Sequence, residues 1–192
     1  MHKKLFVISA PSGAGKTTLC LKLIKDIPHI ILSISSTTRP PRRGEKDGVD
    51  YFFISHDEFQ NKIKTHQFAE WAIVHSNYYG TSKKFIEDTL KNGNAILLDI
   101  DIQGAASLRK VYPELSYTIF IAPPNLQALE KRLRSRGTDS ETIIQKRLKN
   151  ATKELQEAKQ FDKIILNDNL ERAYLELKNL IKEKLCLNKC TE

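Results

Sequence analysis

"LFVISAPSGAGKTT" (residues 5–18) decides the fold. Leu5 to Ile8 is a short apolar run rich in β-branched and aromatic residues, as expected of a strand buried on both faces. Pro11, Ser12, Gly13, Ala14 and Gly15 break it, and from Lys16 the apolar positions Leu19, Leu23, Ile24 and Ile27 recur at helical spacing. A strand, a glycine-rich turn and a helix start together gather backbone N–H groups at the positive end of a helix dipole, which makes an anion site. The stretch fits G-x-x-x-x-G-K-[ST] except that Ala10 takes the place of the first glycine. A position that only turns the chain with φ below zero accommodates alanine. Lys16 is expected to reach the terminal phosphates of a nucleoside triphosphate, and the Thr17 hydroxyl to ligate Mg²⁺.

Further along the chain the same alternation continues. Strand-like runs recur at Leu5–Ile8, Ile30–Ile34, Ala95–Ile100, Thr118–Ile121 and Lys163–Leu166. Helical patterns fall between them at Lys16–Asp26, Ser82–Asn92, Gln103–Val111, Leu126–Arg134, Ser140–Gln160 and Leu170–Leu185. This order predicts an α/β fold, a parallel sheet with helices on both faces and ligands at the carboxyl ends of the strands. Two segments depart from it. Residues 35–81 hold turn residues and aromatics with little helical pattern, which predicts a β-rich insertion, and residues 125–155 are helical and dense in arginine and lysine, like a flap over phosphates.

The 192 residues suit one compact domain, and 40% hydrophobic with 28% charged residues excludes a disordered chain. Cys20, Cys186 and Cys190 are odd in number and lack metal-ligand spacing, so the expected setting is a reduced, cytoplasmic one. His2-Lys3-Lys4 before Leu5 mimics the start of a signal peptide, but the apolar run is too short for one, and no run reaches the roughly 18 apolar residues of a membrane span. The formal charge of +8 fits either nucleic-acid binding or a site holding several phosphates, and the position of the arginines distinguishes them.

Those arginines cluster in "SSTTRPPRRGEKDGVDYFF" (residues 35–53). Prolines keep the backbone between Arg39 and Arg42 extended and stiff, and rigidly spaced guanidinium groups suit a phosphate monoester. Ser35, Ser36, Thr37, Thr38 and Tyr51 add neutral donors that a solvated charge run would not need. Glu70, in "FAEWA", is a carboxylate among aromatics, able to accept two hydrogen bonds from one flat edge. Guanine offers such an edge in N1–H and its N2 amine, while its O6 would accept from Ser35 or Thr81; adenine offers neither donor.

Taken together, "APSGAGKTT", "SSTTRPPRRGEKDGVDYFF", "FAEWA", "NYYGTS", "LLDIDIQGA", "FIAPPN", "LEKRLRSRGTDSE" and "KRL" resemble the guanylate kinase family of ATP:GMP phosphotransferases, from about Leu5 to about Leu185. The resemblance implies a P-loop kinase core with a parallel β-sheet flanked by helices (residues 1–34, 82–124 and 156–192), a β-rich GMP-binding insertion (35–81) and a helical lid (125–155). It implies that Ser35, Glu70, Thr81 and Asp101 face guanine, while Arg39, Arg42, Tyr51 and Tyr79 hold the GMP phosphate and Gly80 is a further GMP-binding residue. Ala10, Pro11, Ser12, Gly13, Ala14, Gly15, Lys16, Thr17 and Thr18 would hold ATP, with Asn167 and Asp168 on the adenine side. Asp99 would orient Mg²⁺ beside Thr17, through water. Arg132, Arg136 and Arg147 of the lid would join Lys16 and Arg39 at the transferring phosphates, leaving Lys131, Arg134 and Lys149 to solvent.

The implied substrates are ATP with GMP, and dGMP as well, with Mg²⁺ and without nucleic acid or membrane; monomer and homodimer are both left open. Two rival readings remain at this point. A non-catalytic interaction domain of the same fold would have lost the phosphate loop, which is intact at Gly13, Gly15, Lys16 and Thr17. A kinase for another nucleoside monophosphate would not need Glu70 with Ser35 and Thr81.

Overall fold

The computed structural model describes residues 4–74, 76–135, 137 and 139–186; Arg136 and Cys190 lie outside them. The strands are β1 (Leu5–Ser9), β2 (Ile30–Ser33), β3 (Ser36–Thr37), β4 (Phe52–Phe53), β5 (Phe68–Val74), β6 (Asn77–Ser82), β7 (Ala95–Asp99), β8 (Ser116–Ala122) and β9 (Lys163–Leu166). The helices are α1 (Lys16–Asp26), α2 (His56–Lys64), α3 (Lys83–Lys91), α4 (Ile102–Val111), α5 (Leu126–Ser135), α6 (Glu141–Glu157) and α7 (Leu170–Cys186).

Five parallel strands, in the order β2-β7-β1-β8-β9, form the main sheet. β1 is central, and all five of its residues are fully buried. Alternate side chains leave a strand on opposite faces. Phe6 and Ile8 accordingly join Leu19, Leu23, Leu177 and Ile181 of α1 and α7, while Leu5 and Val7 join Ile86, Ala105 and Leu108 of α3 and α4. The parallel register sets Ile8 opposite Asp99 and Ser9 opposite Phe120, so the chain leaves β1 beside the end of β7.

A second, four-stranded sheet, in the order β4-β3-β6-β5, stands beyond the carboxyl ends of the main sheet, and α4 packs on its β5. A bulge between Phe68 and Glu70 resets the β5 register, so that Glu70 pairs with Thr81. Glu70 and Ala72 thereby turn inward, while Trp71 and Ile73 are exposed.

The expectation of little helix in residues 35–81 is corrected by α2. Its start is marked by Ser55-x-x-Glu58, a capping-box spacing: the Ser55 hydroxyl accepts the Glu58 N–H at 3.1 Å. The helix expected over Ser140–Gln160 ends as a 3₁₀ turn at Ala158–Gln160. Among the described residues no helix is long and apolar enough to cross a membrane.

Phe59 of α2 is fully buried, its ring 4.5 Å from that of Phe68 and 5.3 Å from that of Tyr78. Phe59→Ala should destabilise the chain by about 3–5 kcal/mol, the usual cost of a large aromatic lost from a core. Urea unfolding measures it; a loss below about 1 kcal/mol would mean that α2 does not rest on this contact.

Candidate functional site

The phosphate loop is shaped by two glycines at φ 94°, Gly13 and Gly15. Gly15 is the N-cap of α1 and offers no side-chain bond, so the first-turn N–H groups stay available to an anion. A side chain at Gly15 would also collide with Asn167, whose Nδ2 would lie 2.5 Å from the added Cβ. Asn167 Nδ2 donates to the Ala14 carbonyl at 2.7 Å, and Asn167 itself is buried. The structure therefore puts Asn167 beneath the loop as a brace, not in the cleft. Asp168 is exposed and bonded to Arg172.

Asp99 ties the loop to β7. Lys16 Nζ lies 2.5 Å from Asp99 Oδ1 and donates to the Ile100 carbonyl at 3.0 Å, and Thr17 Oγ1 donates to Asp99 Oδ2 at 3.1 Å. Burial pulls the Lys16 pKa down, but the charge and hydrogen bond of Asp99 together outweigh it, and the net direction is up. The ammonium is thus kept charged and ready for phosphate.

The opposite wall comes from the second sheet. Arg39 donates to Glu45 twice, at 2.9 and 3.0 Å, to the Pro40 carbonyl at 2.8 Å and from Nε to Tyr79 Oη at 3.3 Å. A guanidinium has five N–H donors, so one is left for a ligand. Glu45 also accepts the backbone N–H of Arg42 at 2.6 Å, and the Arg39 bond holds its pKa below the usual range. Arg42 is exposed, with no side-chain hydrogen bond among the described residues. The Tyr51 and Tyr79 rings meet edge to face at 5.8 Å.

Glu70 forms the floor at this end. It is buried, and its Oε1 accepts the Thr81 hydroxyl at 2.5 Å. Burial pushes its pKa up to about 7, with the nearby Asp101 charge adding to the effect and the Thr81 bond opposing it. Thr81 is fully buried and its one hydroxyl proton is committed to Glu70, which leaves Ser35 as the hydroxyl donor lining this end of the cleft. Asp101 caps α4, its Oδ1 accepting the Gly104 N–H at 2.8 Å. Gly80 is buried in β6, where a Cβ would press on Phe59 and Phe68 at 3.0 Å, so its role is packing behind the wall.

One cleft of about 310 Å³ joins these walls. Of the residues expected in the site, it is lined by Ala10, Pro11, Ser12, Gly13, Gly15, Lys16, Thr17, Thr18, Ser35, Arg39, Arg42, Tyr51, Glu70, Tyr79, Asp99, Asp101 and Arg147. Ala14, Gly80, Thr81, Arg132 and Asn167 are not among its walls. Arg132 instead donates to the Asn167 carbonyl at 2.8 Å. Arg147 reaches the loop already, donating to Ser12 Oγ at 2.8 Å with Asp139 at 3.4 Å behind it. Arg134 is spread between Glu130 and Glu141 on the surface.

The cleft also contains residues that the sequence reading missed. Ala72 and Val74 extend the Glu70 face of β5, as strand alternation alone could have shown. Glu154 stands seven residues after Arg147 on α6, two turns along the same face, and burial pushes its pKa up to about 7.

A family model described as "Guanylate kinase" matches residues 2–184. The guanylate kinase of Fusobacterium nucleatum is 50% identical over 177 residues, 92% of this chain and 95% of its own. That of Lawsonia intracellularis is 54% identical over 172 residues, covering 90% and 81%. The crystal structure of guanylate kinase from Anaplasma phagocytophilum superposes with a TM-score of 0.79 at 32% identity, covering 96% of this chain and 87% of that one.

The raised Glu70 pKa has a signed consequence for stability. The folded chain holds this proton up to about pH 7 whereas an unfolded glutamate releases it near 4.5. Its favourable contribution is fully present below about pH 4.5 and is lost as pH rises through about 7. Glu70→Gln removes the titration, so between pH 4.5 and pH 8 the variant should gain up to ~3 kcal/mol on the parent. Urea unfolding at both pH values tests this; an equal difference at each would show that Glu70 titrates normally.

Proposed function

The chain belongs to the guanylate kinase family, and we infer that its cleft transfers the γ-phosphoryl group of ATP to GMP, giving ADP and GDP. The activity is that of an ATP-dependent nucleoside monophosphate kinase. The observation that carries the assignment of sites is a single cleft with a phosphate loop at one end and the buried Glu70 carboxylate at the other. In this reading residues 35–81 form the GMP-binding unit, 125–155 the lid, and residues 1–34, 82–124 and 156–192 the core.

Glu70 accepts guanine N1–H and the N2 amine, Asp101 lies beside it, and the Ser35 hydroxyl donates to O6. The GMP phosphate lies between Arg42, the remaining N–H of Arg39, and the hydroxyls of Tyr51 and Tyr79. ATP phosphates lie on the N–H groups of residues 13–18, with Lys16 turning from Asp99 to the terminal oxygens. Arg147 meets them from α6, and Arg132 would have to leave the Asn167 carbonyl to do so, which calls for closure of the lid. The GMP phosphate oxygen attacks the γ-phosphorus in line as the bond to the β–γ bridging oxygen breaks, and ADP leaves. The attacking oxygen is already anionic, so no protein base is needed; orientation and charge neutralisation supply the acceleration.

The Thr17 hydroxyl and Asp99 are hard oxygen donors side by side, a set that fits Mg²⁺, an ion commonly bound through one or two protein oxygens, waters and substrate phosphates. They would hold it, Asp99 through water; when bound, Mg²⁺ neutralises charge on the terminal phosphates. The free, buried Cys20 thiol supports a reducing, cytoplasmic setting.

The test is purified protein with ATP, Mg²⁺ and a panel of GMP, dGMP, AMP, CMP and UMP. GMP and dGMP should be phosphorylated and the other three left at background, and Lys16→Ala should lose at least about 100-fold in kcat while remaining folded by circular dichroism, as expected for a charge stabilising the transferring group. Preference for another base, or wild-type turnover by Lys16→Ala, would overturn the assignment.

A further inference from the structure

Gly104 occupies the third position of α4, where alanine would be the better helix former. The reason for glycine lies in what approaches it. A Cβ at this position would stand 2.6 Å from Glu70 Oε2, 3.2 Å from Glu70 Cδ and 3.1 Å from Asp101 Oδ1. Glu70 has no easy retreat, since its Oε1 is held by Thr81 at 2.5 Å and its side chain is buried. Asp101 is equally fixed, by the Gly104 N–H at 2.8 Å. The carboxylate of the second sheet thus rests on bare backbone at the first turn of a helix from the main sheet. That turn carries the positive end of the helix dipole, which favours the ionised form that a two-donor edge requires.

We propose that Gly104 is a positioning residue for base specificity: its missing side chain is the seat of the Glu70 carboxylate and sets the direction in which its oxygens face the substrate base. The proposal rests on the reading that Glu70 receives guanine. A methyl group at residue 104 would swing the carboxylate away from Thr81 or out of the base plane. The damage would fall on GMP and not on ATP, whose loop lies at the other end of the cleft.

The experiment is a double-mutant cycle in the full chain, with Gly104→Ala made in the parent and in Glu70→Ala. In the parent, Gly104→Ala should raise the KM for GMP about 10-fold or more, with the KM for ATP changed less than about twofold. In Glu70→Ala the same substitution should add less than about twofold, because the group that it meets most closely, at 2.6 Å, is gone and the Asp101 contact at 3.1 Å needs only a small shift. A substitution acting through general damage to the helix would cost the same in both backgrounds, and that result would overturn the proposal. Melting temperature provides a second readout: if Gly104→Ala melts early in the parent, it should melt normally in Glu70→Ala, and early melting in both is equally fatal. Unchanged GMP kinetics in Glu70→Ala would refute base reading by Glu70 and this proposal with it. A loss in Glu70→Ala alongside undisturbed Gly104→Ala kinetics would overturn the proposal alone.

Discussion

The parallel pairing of β1 with β7, Ile8 opposite Asp99, is the constraint on which the rest of the site depends. It delivers the phosphate loop and the Asp99 carboxylate to the same end of the sheet, within reach of Lys16 and Thr17. A one-residue slip would turn every side chain of β7 to the other face. The register is therefore held by the burial on both faces that Leu5–Ser9 and Ala95–Leu98 require, and the position of the chemistry follows from the core. The loop is then braced from below by Asn167 just past the end of β9, so β7 beside β1 and β9 beyond β8 both help to shape it.

The cleft carries both signs of charge. Lys16, Arg39, Arg42 and Arg147 line it together with Glu70, Asp99, Asp101 and Glu154, and the Lys16 charge reaches both Asp99 and Glu154. A chain with a formal charge of +8 thus keeps the buried Glu70 carboxylate in the same cleft as its cationic groups, and on the proposed reading that carboxylate meets the donors of the base. Burial pushes the pKa of both Glu70 and Glu154 up to about 7, and the Asp101 charge adds to the rise in each. Arg39 illustrates a complementary device: Glu45, Tyr79 and the Pro40 carbonyl fix its plane and leave it one free N–H, so it is oriented in advance at the cost of donors that a freer arginine would offer.

Much of this was legible in the residues themselves. The β1 strand, the loop and α1 lie where their apolar spacing puts them, with α1 matching over Lys16–Asp26, because burial on one or two faces leaves a periodic trace. The helix α2 was overlooked although Ser55 and Glu58 stood at capping-box spacing, because aromatics and turn residues around it read as strand. Glu45, three residues past Arg42 in "RRGE", could have been found by asking which carboxylate satisfies those arginines. Asn167 under Ala14, Thr81 bonded to Glu70, Arg132 bonded behind the cleft and Gly104 beneath the carboxylate were not legible. Each depends on how two elements far apart in sequence meet, and no local pattern records that.

The central claim is that guanine is read by an ionised Glu70, and proton release on GMP binding tests it most directly. Calorimetric titration at pH 7 in buffers of different ionisation enthalpy counts the protons. With a free-state pKa of about 7 the parent should give up about half a proton from Glu70 as the carboxylate accepts N1–H and the amine. Glu70→Gln should lose that portion of the release and bind GMP more weakly by about 2–4 kcal/mol, since an acceptor becomes a donor facing a donor. Equal proton release by the parent and Glu70→Gln, with GMP affinity within about threefold, would contradict the account.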